Sequence, residues 1–251
     1  MRVEFMVGDS AILKDLLSAI YLVSDEVGLK IEDDGLRLFA VDFSKVAAMD
    51  VKISRGLFEE FVVEEKGDVC LGIGDLVRCL KNVKRGYSAK MSLSDDEVSL
   101  NLASANGEIN RKFLIHPYKG EVNWLNLPDF KHKAMIELPT SLLREAVQDL
   151  MKISDEAKMT ADLGEFVIEA KNEVSAGKIK FAPYDNSIVI NVEDPPAQSH
   201  YSLEWLDKLS KALAKISDGL MIRFSDNKPV ELVTYYGCLD VRAILAPRVR
   251  G

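Results

Sequence analysis

Hydrophobic and polar positions follow two periodicities along this chain, one helical and one of two residues. Helical spacing runs from Asp9 to Val23, where apolar side chains fall at i, i+1, i+4, i+5 and i+8. Alternation with a period of two follows, interrupted by the turn signal Asp33-Asp34-Gly35. A second helix is predicted from Asp75 to Lys84, and further alternation continues to Leu102. The first half of the chain therefore predicts two helices among antiparallel strands.

The same succession of elements returns 130 residues later, as the positions of two identical triplets show. Ser24-Asp25-Glu26 recurs as Ser154-Asp155-Glu156, and the flanking patterns keep this register without a gap. Helices are again predicted from Thr140 to Lys152 and from Ser202 to Ile216. We therefore predict an α+β fold with four helices and many antiparallel strands, in which one domain pattern occurs twice.

Between the two copies lies a segment with no clear period, residues 116–133. It combines turn formers such as Pro117 and Gly120 with apolar side chains, including Trp124 and Phe130. Because a plain linker is more polar, we predict a strap on the surface, with some apolar side chains tucked in and others offered to a partner. The predicted divisions are an N-terminal domain at 1–115, the strap at 116–133 and a C-terminal domain at 134–251.

Basic side chains line a second face of the predicted helices, although the chain carries a net charge of −8. Arg78, Lys81 and Arg85 fall at i, i+3 and i+7. Three further lysines repeat this spacing in the second copy, at positions 208, 211 and 215. Any solvated helix face can carry such cations. Their recurrence at duplicated positions in an acidic protein favours contact with phosphates without readout of bases.

Motifs that carry catalysis are missing from the sequence. Gly72-Ile73-Gly74 continues to Val77 where a dinucleotide fingerprint needs Gly or Ala, and neither a P-loop, an H-E-x-x-H motif nor a serine elbow occurs. The three cysteines form no C-x-x-C pair, so no zinc site is predicted. We predict a binding protein with no catalytic residue, metal or cofactor. A metal-dependent hydrolase that uses Asp33, Asp34 or Asp95 is the alternative from another class.

Three segments resemble the DNA sliding clamps of archaea and eukaryotes, the proliferating cell nuclear antigen (PCNA) family, and the likeness spans essentially the whole chain. They are Asp9–Lys14, Leu38–Val46 and Ile244–Val249. The resemblance implies a ring of three subunits around duplex DNA, with helices on the inner face and sheets outside. The cations that it places opposite phosphates are Lys14, Arg78, Lys81, Lys84, Arg85, Arg144, Lys152, Lys208, Lys211 and Lys215.

The resemblance also implies a pocket under the strap, which binds a short partner peptide with one aliphatic and two aromatic anchors, the PIP motif. The matching positions are Val41, Lys45, Val46, Ala48, Leu125, Leu127, Pro128, Pro229, Ile244, Ala246 and Pro247. Subunits are expected to join by pairing edge strands near 107–114 and 174–182. The residues expected at this contact are Ile109, Arg111, Phe113, Lys178 and Lys180.

The partners implied by the resemblance are double-stranded DNA, DNA polymerase, flap endonuclease, DNA ligase and the clamp loader replication factor C. Three identical chains form the expected ring, while a heterotrimeric or checkpoint-type clamp is the alternative within the family. With no apolar run long enough to span a membrane and no leader pattern after Met1, we expect a cytoplasmic, nucleoid-associated archaeal protein, or a nuclear one if the source is eukaryotic.

Overall fold

The computed structural model of this chain describes residues 1–117, 124 and 130–248. The chain divides into two compact units. One comprises Met1–Phe43, Met49–Asn126 and Tyr236–Asp240, and the other comprises Ser44–Ala48, Leu127–Tyr235 and Val241–Gly251.

The first copy of the pattern forms nine strands and two helices within the described residues. In chain order they are β1 (Arg2–Val7), α1 (Ser10–Ile20), β2 (Glu26–Glu32), β3 (Gly35–Val41), β4 (Ala47–Ser54), β5 (Glu60–Glu65), β6 (Asp68–Gly72), α2 (Ile73–Leu80), β7 (Tyr87–Ser94), β8 (Val98–Ser104) and β9 (Asn110–Ile115). Strands in the order β5-β1-β7-β8-β9 make a five-stranded sheet, and β4-β3-β2-β6 are neighbours in turn.

The second copy repeats this order of elements. They are β10 (Ala134–Pro139), α3 (Thr140–Leu150), β11 (Glu156–Asp162), β12 (Glu165–Lys171), β13 (Ala176–Phe181), β14 (Val189–Val192), β15 (Ala197–Ser202), α4 (Leu203–Leu213), β16 (Gly219–Phe224), β17 (Val230–Tyr236) and β18 (Leu239–Leu245). Five strands are adjacent in the order β14-β10-β16-β17-β18, and four form the sheet β13-β12-β11-β15. The predicted α+β duplication is confirmed.

The repeated Ser-Asp-Glu triplet has a structural role in both copies. In the first, the Ser24 hydroxyl accepts a hydrogen bond from the Glu26 N–H at 3.2 Å, and the Asp25 carbonyl accepts one from the Ile73 N–H at 3.0 Å. These bonds turn the chain out of α1 into β2 and satisfy an amide at the start of α2. Sequence identity at this site therefore reflects the folding of each copy.

The second copy reproduces these bonds at equivalent positions. The Ser154 hydroxyl accepts from the Glu156 N–H at 3.2 Å, and the Asp155 carbonyl accepts from the Leu203 N–H at 2.9 Å. Because each bond fixes the same step between a helix and a strand, the two copies keep one register over their first halves.

The predicted helices all extend too far at their C-terminal ends. Helix α2 ends at Leu80, where the Val83 N–H binds the Leu80 carbonyl at 3.0 Å in a turn, and the Val83 carbonyl accepts a hydrogen bond from Lys14 Nζ at 3.3 Å. Helix α4 ends at Leu213, where the Ile216 N–H binds the Leu213 carbonyl at 2.9 Å in a turn. Consequently Lys84, Arg85, Lys152 and Lys215 lie beyond the ends of the helices.

Candidate DNA and peptide interfaces

The cations of the first copy fall into two groups. Arg78 is ion-paired with Asp75 one turn earlier on α2, and this hydrogen bond raises the pKa of the guanidinium. Lys14 on α1 is half-buried, and its amino group donates a hydrogen bond to the Val83 carbonyl. By contrast, the side chains that follow α2 are exposed and form no ion pair within the described residues; they are Lys81, Lys84 and Arg85.

The second copy shows the same division. Lys208 on α4 is held by Glu204 at 2.7 Å and lies over the Trp205 ring, 4.7 Å from its centroid. Its neighbours Lys211 and Lys215 are exposed and have no acidic partner among the residues that the structure describes. At 130-residue spacing, Arg78 and Lys208 are both paired with a carboxylate. Within the described residues, the equivalent cations Lys81 and Lys211, and Arg85 and Lys215, have no such pair.

This division matters for binding phosphates. A cation already paired with a carboxylate must give up that pair before it can contact a phosphate, whereas an exposed unpaired cation gives up only water and counterions. The predicted set thus contains five stronger candidates, and four of them occupy two of the duplicated positions. These are Lys81, Lys84, Arg85, Lys211 and Lys215.

Helix α3 is a weaker candidate than its counterparts. Lys152, in the turn that follows it, is paired with Asp149 at 2.7 Å, and Gln148 donates to Asp207 of α4 at 3.4 Å. Arg144 is half-buried, and its Nε is buried without an acceptor among the described residues. Exposed Glu145 adds a negative charge on this helix, which opposes the approach of phosphates.

Residues predicted for the peptide pocket have three kinds of environment. The Ala246 N–H donates to the Val46 carbonyl at 2.9 Å, and both side chains are half-buried. Lys45 is exposed at a positive φ of 56°. Val41, Pro229 and Pro247 are half-buried, Ala48 and Ile244 are buried, and Leu125, Leu127 and Pro128 lie outside the described residues.

One strap residue is held by several contacts in the first unit. Trp124 Nε1 donates to Asp68 at 2.6 Å, and the indole lies against Phe39 with ring centroids 6.1 Å apart. The Arg37 guanidinium, itself clamped by two hydrogen bonds to Asp50, is 5.8 Å from the ring centroid. The prediction that apolar side chains of the strap are tucked in is thus met at Trp124.

Sequence reasoning missed Phe43, which follows β3 and is fully exposed at 104%. A fully exposed aromatic side chain between predicted pocket positions offers apolar surface that a partner can cover. Its position inside one of the segments that carry the family resemblance was the available signal.

The predicted contact residues lie on or beside edge strands. Strand β9 is the last strand of its five-stranded sheet, and β13 is the last of its four-stranded sheet. Arg111 and Phe113 are half-buried on β9, and Ile109 lies just before that strand. On β13, Lys178 is paired with Glu169 at 2.9 Å, which raises the pKa of its ammonium group, and Lys180 is paired with Glu165.

Two of the three acids considered for a hydrolase have structural partners. Asp33 is paired with Lys66 at 2.5 Å, and Asp95 contacts the amino group of Met1 at 2.8 Å. Within residues 1–117, 124 and 130–248, no group of three or more His, Cys, Asp or Glu side chains could hold a metal ion.

None of the helices in the described part of the chain is long and apolar enough to cross a membrane.

Comparison with known proteins finds similar chains over nearly the whole length. The chain is 27% identical over 245 residues to a DNA polymerase sliding clamp of Methanothermobacter thermautotrophicus, covering 97% of this chain and 96% of that protein. It is 28% identical over 239 residues to the DNA polymerase sliding clamp of Thermococcus fumicolans, covering 94% of each chain.

A solved structure shares the fold. The proliferating cellular nuclear antigen of Entamoeba histolytica superposes with a TM-score of 0.89 at 16% identity, covering 98% of this chain and 99% of that one. A family model described as "Repair protein Rad1/Rec1/Rad17" matches residues 8–227. The chain thus belongs to the Rad1/Rec1/Rad17 repair protein family and has the fold of proliferating cell nuclear antigen.

Proposed function

We propose that this protein is a DNA sliding clamp, a non-enzymatic ring of three chains that encircles duplex DNA without reading its sequence. The observation that carries this proposal is the recurrence of exposed cations at Lys81 and Lys211, and again at Arg85 and Lys215, in a chain with a net charge of −8. None of the four has an ion pair with any residue that the structure describes. Such cations suit exchangeable contacts with phosphates, and the acidic remainder of the surface repels DNA.

A ring closed around DNA converts weak contacts into long residence. It cannot dissociate sideways, so the phosphate contacts can break and reform while the protein slides. An enzyme bound to the ring is then held at a high effective concentration over the primer end. The proposed partners are DNA polymerase, flap endonuclease, DNA ligase and the clamp loader replication factor C.

Partner docking is proposed at the surface around Val46 and Ala246, where a peptide with one aliphatic and two aromatic anchors binds. Hydrogen bonding between these two residues fixes the backbone there, at 2.9 Å from N to O, while both side chains remain partly accessible. A small side chain at Ala246 leaves room for a larger anchor, as a pocket requires.

Ala246→Arg is expected to weaken binding of a PIP-motif peptide by at least about tenfold, because a long charged side chain would occupy the space of an apolar anchor. Isothermal titration calorimetry measures this change. The matched control is Ala105→Arg, on an exposed turn between β8 and β9, which should bind the peptide like the unaltered protein. Unchanged affinity in Ala246→Arg contradicts this placement of the pocket.

A heterotrimeric checkpoint-type clamp is the second candidate, and the match to the Rad1/Rec1/Rad17 family model favours it. The two candidates differ in the mass of the purified chain. Light scattering should give three times the chain mass of 27.9 kDa, about 84 kDa, for a homotrimer. A mass near one chain at micromolar concentration contradicts the homotrimer and favours a subunit that needs different partners.

A further inference from the structure

A polar cavity of about 320 Å³ lies in the second unit, apart from the residues predicted to contact DNA, the peptide or another subunit. Its floor is a row of side chains that are register partners on successive strands. Asn191 of β14 is opposite Met135 of β10, Met135 is opposite Arg223 of β16, and Arg223 is opposite Glu231 of β17. Because register partners project from the same face of a sheet, one row crosses four strands.

The C-terminal end of the strap closes one side of this cavity. Ser225 Oγ accepts a hydrogen bond from the Lys133 N–H at 2.7 Å and donates one to the Lys131 carbonyl at 3.2 Å. This pair of bonds fixes His132, whose ring lies 5.8 Å from that of Phe130. His132 and Phe130 both line the cavity.

The charges in the cavity are unevenly matched. Glu231 is only 3% exposed; its carboxylate lies 3.2 Å from Arg242 and 3.3 Å from His132 Nε2. Burial alone would raise the pKa of Glu231, but the hydrogen bond from His132 and the charges of Arg242, His132 and Arg223 outweigh it and lower that pKa. One buried carboxylate thus contacts both an arginine and a histidine.

Arg223 keeps unused hydrogen-bonding capacity. Within the described part of the chain, its guanidinium has no carboxylate within 4.0 Å, and Nε donates to the weak acceptor Met221 Sδ at 3.0 Å. The nearby His132 side chain is only 6% exposed. Its Nδ1 atom is buried and has no hydrogen-bond partner among the described residues. Buried polar groups of this kind normally have a partner.

The size and the charge of the cavity define what fits. The cavity volume of about 320 Å³ is several times the volume of about 30 Å³ that one water molecule occupies in the liquid. A side chain can therefore enter the cavity. The planar fork of Arg223 matches a carboxylate bidentately. Because Glu231 and Glu193 also line the cavity, a singly charged carboxylate is favoured over a doubly charged phosphate.

We propose that this cavity receives the acidic side chain of a docking peptide, with Arg223 as the group that binds its carboxylate. The inference rests on the proposed function, which supplies the docking peptide. Phe130 in the cavity wall comes shortly after the strap positions that are expected to hold the apolar anchors of that peptide. It adds a specificity site: partners with an acid at the right distance from their anchors bind more tightly than partners without one.

Calorimetry with paired peptides tests the proposal. A PIP-motif peptide extended by four residues on each side of the anchors carries a single Asp, or Asn in the matched version, at each added position. At one position the Asp version should bind the unaltered protein about tenfold more tightly than the Asn version. In Arg223→Gln the two versions should bind equally. The control Lys228→Gln, an exposed cation outside the cavity, should retain the preference.

A second measurement does not depend on peptide docking. Titration of the ¹⁵N-labelled protein with acetyl-aspartate amide should shift the amide resonances of Met135, Asn191 and Arg223. Arg223→Gln should abolish these shifts, and Arg223→Lys, which keeps the charge without the fork, should weaken them. Thermal melts establish that both variants are folded. Inorganic phosphate is titrated in parallel and should produce weaker shifts.

The outcomes separate the two proposals. Shifts with acetyl-aspartate amide but no binding of any peptide would support the carboxylate site and contradict the docking proposal. Peptide binding without an Asp preference at any position, or a preference that survives in Arg223→Gln, overturns the carboxylate site and leaves docking intact. Stronger shifts with phosphate than with acetyl-aspartate amide also overturn the assignment to a carboxylate.

Discussion

The paired substitution of Lys81→Glu and Lys211→Glu is expected to reduce stimulation of DNA polymerase on primed circular DNA by at least about tenfold. Both lysines are exposed and lack an acidic partner within the described residues, so each is available to a phosphate. Reversal of their charge replaces two attractions per chain by two repulsions, and three chains multiply this effect around one duplex.

Two checks give this result its meaning. The mass measured by light scattering should not change, because neither lysine lies on an edge strand. The matched control is Lys52→Glu with Lys228→Glu, which makes the same change in net charge at exposed positions away from the helices. Equal loss of stimulation in the control would mean that net charge alone matters, and no loss in either protein would contradict the DNA-facing assignment.

Phe166→Ala is expected to lower the free energy of unfolding by about 3–5 kcal/mol, the usual range for truncating a buried aromatic side chain. The Phe166 side chain is fully buried on β12. Its ring lies 5.6 Å from that of Phe181 and 6.0 Å from that of Phe224, centroid to centroid. Truncating this side chain leaves a cavity between the other two rings, and the close-packed core cannot rearrange enough to fill it.

Urea denaturation followed by circular dichroism measures this change. Phe43→Ala is a matched control, because it removes the same atoms from a side chain that is fully exposed. The control should unfold within about 0.5 kcal/mol of the unaltered protein. If the two substitutions had the same effect, the ring cluster around Phe166 would not be the core feature inferred here.

The repeat and the elements could be predicted from the sequence because they rest on local patterns. Apolar spacing located the four helices, and the triplets at Ser24 and Ser154 fixed the offset between the copies. The helix ends were missed for a physical reason. Val83 continues the apolar stripe of α2, but its N–H binds the Leu80 carbonyl in a turn, and its carbonyl accepts from Lys14, 69 positions earlier in the chain. Periodicity carries no information about such distant partners.

The ion pairs of the candidate sites could be predicted from the sequence even less well than the helix ends. Spacing alone placed Arg78 and Lys81 on one face, although Arg78 is neutralised by Asp75 and Lys81 is not. The polar cavity depends on strand register, which brings Met135, Arg223 and Glu231 into one row from distant parts of the chain. No motif in the sequence marks this row, because each of its residues is isolated in its own strand.

Retention on circular DNA tests the proposed sliding clamp most directly. Protein loaded by replication factor C onto a nicked circular duplex is separated from free protein by gel filtration, before and after a restriction enzyme cuts the circle. A ring around DNA should remain with the circle and slide off the ends once the DNA is linear. Equal retention on circular and linear DNA, or release from both, would contradict encirclement.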